Sequence, residues 1–173
     1  MVKVTESIDK PQFKTEIMQE VQRIIAQYPE GKQKSAILRV LHLAQAEFGG
    51  WLSVNTMNYV AEILNLRPIE VYEVASFYSM YNLKPVGKYM LEFCHTATCA
   101  TMGVESLIDY TCNKLGIKTG ETTADGLFTI KEVECLGACG YAPMMQLGKS
   151  YREHLTPEKI DALIDELKAK AKA

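Results

Sequence analysis

Two cysteine pairs, Cys94-x4-Cys99 and Cys135-x3-Cys139, carry the most chemistry in this chain. Thirty-five residues separate the pairs, and each pair follows a short apolar run. A thiolate is a soft ligand, and four of them brought together by two short loops make a metal site. The second spacing would suit a structural zinc, whose knuckles use x2 to x4 ligand spacings. The first suits zinc less, because five residue steps make a wide loop that can arch over an iron–sulfur rhomb. The pattern favours one [2Fe–2S] cluster per chain, held by Cys94, Cys99, Cys135 and Cys139, with structural zinc as the rival.

Other uses of the cysteines fit less well. Disulfides belong to oxidising compartments. The segment Met1-Val2-Lys3-Val4-Thr5-Glu6 has no apolar stretch of a secretory signal, and it is too acidic and Arg-poor for a mitochondrial transit peptide. A thioredoxin-type redox pair uses Cys-x-x-Cys, which neither spacing provides. The residues between the ligands agree with a cluster. His95-Thr96-Ala97-Thr98 is small and carries hydroxyls, and Leu136-Gly137-Ala138 places a glycine between its ligands. A four-thiolate [2Fe–2S] core is anionic, and hydrogen bonds to sulfur hold part of that charge. Gly137 and Gly140 are expected to take positive φ and aim N–H groups at the sulfurs. Thr101-Met102-Gly103 is expected to open a helix whose positive N-terminal end lies near the cluster. The fifth cysteine, Cys112, falls mid-helix among Ile108, Thr111 and Leu115 and reads as a small buried hydrophobe. His95 reads as a partly solvated loop residue rather than a ligand, and His42 and His154 as surface residues without a role.

The pairs need elements to position them. Composition is that of an ordinary globular chain, 47% apolar and 23% charged with a net charge of −2. No run approaches the roughly 18 apolar residues of a membrane span, so direct membrane insertion is not expected. Nor is there a basic stripe for nucleic acid. A polar tail over residues 1–10 is expected to be mobile. Helical periods then run as far as a turn-rich link, Asn82-Leu83-Lys84-Pro85-Val86-Gly87-Lys88. Phe13, Ile17, Val21, Ile24 and Tyr28 stripe a first helix, which Pro29-Glu30-Gly31 ends. Ile37, Val40, Leu41, Ala44 and Phe48 stripe a second, with Gly49 at its C-terminus. Ser53 N-caps a third that turns Val54, Met57, Ala61 and Leu64 inward. Pro68 opens a fourth over 69–80, apolar on most sides and therefore buried. Trp51, Phe77, Tyr78 and Tyr81 read as core, with partner anchoring as the alternative. Together these predict a helical bundle domain over residues 11–83.

After the link, strands alternate with helices. A strand over 88–93 delivers Cys94, and Val104, Leu107, Ile108, Thr111 and Leu115 stripe a helix. A turn region over 119–126 leads to a strand over 127–134 that delivers Cys135. Residues 144–147 and 151–155 make a hairpin around Gly148-Lys149. Thr156 caps and Pro157 opens a last helix with Ile160, Leu163, Ile164 and Leu167 inward. The β-α-β start makes the first two strands parallel, so Cys94 and Cys135 leave the same sheet edge, where open α/β sheets place ligands. The fold class is α+β/α/β, an N-terminal helical bundle followed by a thioredoxin-like [2Fe–2S] ferredoxin domain over residues 84–173. Thioredoxin-like folds often carry a cis-proline beside the active loop, which puts Ala142-Pro143 forward as cis. Met144 and Met145 read as apolar contributors to a contact rim around both cysteine loops, with core packing as the alternative.

Ala36-Ile37-Leu38 through Gly50-Trp51-Leu52, Val74-Ala75-Ser76-Phe77-Tyr78, Cys94-x4-Cys99 and, above all, Glu134-Cys135-Leu136-Gly137-Ala138-Cys139 followed by Ala142-Pro143 resemble the thioredoxin-like [2Fe–2S] subunit of respiratory complex I. The resemblance covers nearly the whole chain. It implies that Cys94, Cys99, Cys135 and Cys139 are the ligands. It also implies a subunit of NADH dehydrogenase (quinone), a translocase, that is not active alone. Its cluster would exchange one electron with the FMN of a partner flavoprotein subunit that also binds NADH. The implied location is cytoplasmic, peripheral to the inner membrane as part of a complex. Only the turn Gly148-Lys149-Ser150 departs, being short beside the acidic turn of relatives. Homologous diaphorase subunits serve NAD(P)-linked hydrogenases and formate dehydrogenases, which is the alternative. A zinc-stabilised adaptor and a thioredoxin-like thiol oxidoreductase are alternatives from other classes. The chain has no Gly-x-Gly-x-x-Gly, no P-loop and no Ser/His/Asp arrangement, so hydride chemistry is expected on another subunit.

Overall fold

Leu91 and Phe93 alternate with Met90 and Glu92, and the strand this pattern makes is the axis of the cysteine-bearing half. The structure, a computed structural model, describes residues 10–172. The tail expected over residues 1–10 lies outside them except for Lys10. The described chain divides into two compact units, one ending at Pro85 and the other starting at Val86.

In the first unit, α1 (Thr15–Ile25), α2 (Ile37–Glu47), α3 (Val54–Leu64) and α4 (Pro68–Phe77) share a core that includes Val21, Val40, Leu41, Val60, Leu64 and Val71. Local chemistry sets the helix ends. Ser53 Oγ accepts from Thr56 N at 3.1 Å and caps α3. Gly49 takes φ 86 just past α2, and Gly50 N donates back to Gln45 O at 2.8 Å, the long bond of a Schellman stop. Pro68 opens α4, and Glu70 Oε2 accepts from Arg67 N at 3.1 Å.

α4 departs from expectation twice. It ends at Phe77 rather than near residue 80, because the chain turns there to bury Tyr81. The Tyr81 hydroxyl donates to Leu38 O at 2.8 Å, and Asn82 N donates to Gln45 Oε1 at 2.7 Å. Nor is α4 enclosed: Val71 and Ala75 are buried, whereas Ile69 is exposed and Phe77 is 79% exposed. Of the four aromatics read as core, Tyr81 is buried, Trp51 is half-buried, and Phe77 and Tyr78 are exposed. Val54, expected inward, is also exposed, since it sits at the first position of α3.

In the second unit, β1 (Tyr89–Cys94) and β2 (Phe128–Val133) run parallel, with Tyr89 beside Phe128 and Cys94 beside Val133. A parallel pair needs a crossover, and α5 (Ala97–Thr101) and α6 (Val104–Leu115) supply it. β3 (Met145–Leu147) and β4 (Ser150–Arg152) complete a sheet of order β2-β1-β3-β4, with β3 antiparallel to both neighbours. α7 (Pro157–Lys172) follows, capped by Thr156 Oγ1, which accepts from Lys159 N at 3.3 Å. Leu91, Phe93, Phe128, Ile130, Ile160 and Ile164 form the core together with Met144 and Met145. The two methionines are therefore interior residues, not part of a rim: Met145 lies opposite Phe93 in the sheet, and both are almost fully buried. The second hairpin strand stops earlier than expected. His154 N donates to Tyr141 O at 2.9 Å and Leu155 N to Pro143 O at 2.8 Å, which draws the chain off β3. The Ala142–Pro143 peptide is cis. Among the described residues no helix is long and apolar enough to cross a membrane.

Gly87 sets how closely the chain entering β1 can approach β2. Its N–H donates to Thr129 Oγ1 at 2.6 Å. A Cβ there would stand 2.8 Å from the carbonyl carbon and 2.9 Å from the nitrogen of Phe128. Backbone cannot yield as a flexible side chain can, so Gly87→Ala is expected to destabilise by at least the ~1–3 kcal/mol typical of overpacking. Urea unfolding followed by circular dichroism should show the midpoint fall. An unchanged midpoint would mean that the approach is looser than described.

Candidate metal centre

β1 delivers Cys94 as its last residue. The chain bends at His95 and Thr96 and enters α5, which contains Cys99. The wide loop expected between these cysteines is thus a bend and a short helix. Ala97 and Ala100 favour that helix, and the bonds Ala100 N to Thr96 O and Met102 N to Thr98 O, each 3.0 Å, hold it. The helix expected to open at 101–103 is also displaced. α5 already spans Thr101, and Gly103, at φ 83, separates it from α6.

The parallel register brings the second pair to the same edge, since Cys135 follows the end of β2 by two residues. Gly137 takes φ 76, and Gly140 does not take the positive φ expected of it. The Gly137 turn directs its N–H to Cys135 Sγ at 3.4 Å. Cys139 opens a short 3-10 turn ending at Tyr141, and its Sγ lies 3.9 Å from Cys135 Sγ. From β4, the Tyr151 hydroxyl donates to Leu136 O at 2.8 Å and ties the loop to the sheet. No sequence signal marks Tyr151, because its reach depends on the hairpin register.

The electrostatics join the two pairs. Burial pushes the Cys94 thiol up, but the Thr96 hydroxyl, the N–H groups of Thr96 and Leu136 and the Cys99 thiol outweigh it and leave Cys94 below the usual thiol range. Cys99 is pushed up, first by burial and then by the thiol of Cys94 and the charges of Cys94 and Cys139, against the N–H of Met144. Cys135 is lowered by the Gly137 N–H, the Thr96 hydroxyl and the Cys139 thiol. Each pair therefore acts on the other: Cys139 on Cys99, Leu136 N–H on Cys94, and Thr96 on Cys135. Exposure is uneven, with Cys94 and Cys99 buried and Cys135 and Cys139 exposed.

The remaining candidates lie around this centre. Cys112 is half-buried on α6, its Sγ 4.0 Å from Thr119 Oγ1, and burial raises its thiol above the usual range. His95 is exposed, with Nε2 3.7 Å from Glu105 and Nδ1 3.9 Å from Glu132. His42 and His154 are exposed, beside the rings of Tyr81 and Tyr141 respectively.

The donor set suits an anionic two-metal cluster. The Gly137 N–H donates to Cys135 Sγ, the Thr96 hydroxyl lies 3.4 Å from Cys94 Sγ, and backbone N–H groups help to lower the Cys94 thiol and restrain the rise at Cys99.

Known proteins resemble the chain at both levels. The profile of the family described as thioredoxin-like [2Fe-2S] ferredoxin matches residues 21–168. A subunit of the NADH-quinone oxidoreductase of Rickettsia felis is 50% identical over 143 residues, 83% of this chain and 86% of that protein. Its counterpart in Rickettsia bellii is 48% identical over 145 residues, 84% of this chain and 87% of that protein. A crystal structure of an NAD+-reducing [NiFe]-hydrogenase in the H2-reduced state matches with a TM-score of 0.68 at 26% identity, over 77% of this chain. This chain spans only 22% of that hydrogenase chain.

Proposed function

The chain belongs to the thioredoxin-like [2Fe–2S] ferredoxin family, and on that premise we propose that it is the electron-transfer subunit of an NADH:quinone oxidoreductase. Its near relatives are subunits of that oxidoreductase. The observation that carries the reading is the gathering of both cysteine pairs at one edge of the parallel β1–β2 pair. Cys94 and Cys99 would hold one iron and Cys135 and Cys139 the other, because the reach of each loop is local. When bound, a [2Fe–2S] cluster supplies a site that takes up and gives up one electron at a time. The protein's part is to hold the thiolates, aim N–H donors at them and keep water from the buried Cys94 and Cys99. The exposed Cys135–Cys139 side is left to a partner.

In this reading the partner is a flavoprotein subunit carrying FMN and binding NADH, and this chain is not active without it. The complex lies on the cytoplasmic side, peripheral to the inner membrane. The compact units parting between Pro85 and Val86 support a helical bundle domain up to residue 83 and a cluster domain from residue 84. The hydrogenase likeness supports a second reading, the equivalent diaphorase subunit of an NAD-linked hydrogenase. Native purification separates the two. Iron and acid-labile sulfide, with a flavoprotein and quinone-linked membrane subunits co-purifying, are expected. Hydrogenase subunits in their place would favour the second reading, and zinc without iron would overturn both.

A further inference from the structure

Thr96 occupies the N-cap position of α5. Its backbone is extended there, φ −106 and ψ 171, the posture from which a threonine hydroxyl ordinarily accepts an N–H from the first turn. No such capping bond forms. The hydroxyl turns to the thiols instead, with Oγ1 3.4 Å from Cys94 Sγ. The same hydroxyl is among the groups that lower the Cys135 thiol in the opposite loop. A hydroxyl carries one proton and rotates to suit its acceptor, so Thr96 can turn that proton to the Cys94 sulfur. The backbone N–H donors are fixed to one sulfur each.

We propose that the Thr96 hydroxyl donates a hydrogen bond to the cluster thiolates and thereby sets the reduction potential of the centre. The inference rests on the ligand set proposed above. Hydrogen bonds to sulfur favour the form with more negative charge, which is the reduced one, and so raise the potential. One electron enters from the partner's carrier, the proton stays on the Thr96 oxygen, and no bond to carbon forms or breaks.

The test uses the full chain as wild type, Thr96→Val, Thr96→Ser and Thr96→Ala, each assayed for iron and sulfide and titrated reductively by visible absorption and electron paramagnetic resonance. Valine keeps the shape of threonine and removes the donor. At the potential where wild type is half reduced, the Val variant is expected to show a reduced-to-oxidised ratio roughly tenfold lower, equivalent to about 59 mV for one electron. The Ser variant should return toward wild type. A fully loaded Val variant with the wild-type potential, or a Ser variant that behaves like Val, overturns the proposal. If Val and Ala assemble no cluster while Ser does, the hydroxyl-to-sulfur bond is supported. If Ser fails as well, it is overturned. Wild-type protein without iron and sulfide would overturn the ligand set instead, which keeps the two failures apart.

Discussion

Purified Cys135→Ser protein is expected to be nearly colourless, with iron well below the about two atoms per chain that one cluster requires. The substitution removes the sulfur to which Gly137 N–H donates and which lies 3.9 Å from Cys139 Sγ. A serine hydroxyl is a harder ligand and ionises far less readily than a thiol, so it is a poor substitute for the thiolate on iron at neutral pH. Serine at Cys94, Cys99 or Cys139 should lose or distort the cluster in the same way. Cys112→Ser is the control: it alters a half-buried contact on α6 and is expected to keep the full spectrum. A complete, spectroscopically normal cluster in Cys135→Ser would refute the ligand set.

The isolated chain, loaded with its cluster, is expected to be bleached by dithionite and left unchanged by NADH. NADH gives up a two-electron hydride, and handing its electrons on singly requires a flavin. The chain carries no Gly-x-Gly-x-x-Gly and no P-loop to hold a nucleotide. Adding the flavoprotein partner should make the bleaching NADH-dependent, provided the potential permits it. The measurement is visible absorption under anaerobic conditions, before and after the partner is added. NADH oxidation by the flavin-free chain alone would show that hydride chemistry takes place here after all.

Much of this arrangement could be read from residue types alone. Ser53, Gly49, Pro68 and Thr156 mark helix ends by backbone chemistry that depends only on near neighbours. The β-α-β order likewise implies the parallel pair and the common edge for Cys94 and Cys135. The misreadings occur where tertiary bonds outweigh local preference. α4 is rich in apolar residues on most sides, yet the burial of Tyr81 against Leu38 and the bond from Asn82 to Gln45 stop it at Phe77. Met144 and Met145 are flexible enough for a rim, but neighbouring strands enclose them. The first cysteine segment reads as a loop by spacing, although its two alanines give it a helical turn. Tyr151 and Leu136 lie 15 residues apart, and nothing short of the hairpin register could join them.

A nascent chain cannot bring all four thiols together until β2 has been made and has paired with β1. Tyr89 must find Phe128 across 39 residues, and parallel pairing over such a separation is slow relative to local helix formation. At about 5–20 residues per second of synthesis, the interval between Cys94 and Cys139 alone lasts on the order of seconds. During that time Cys94 and Cys99 are a bare dithiol without their counterparts. In the proposed ligand set, cluster binding would couple to the pairing of β1 with β2 and add its free energy to that sheet. If the four cysteines hold the cluster as proposed, the side that the β1–β2 edge leaves open to an iron–sulfur donor is the exposed pair, Cys135 and Cys139.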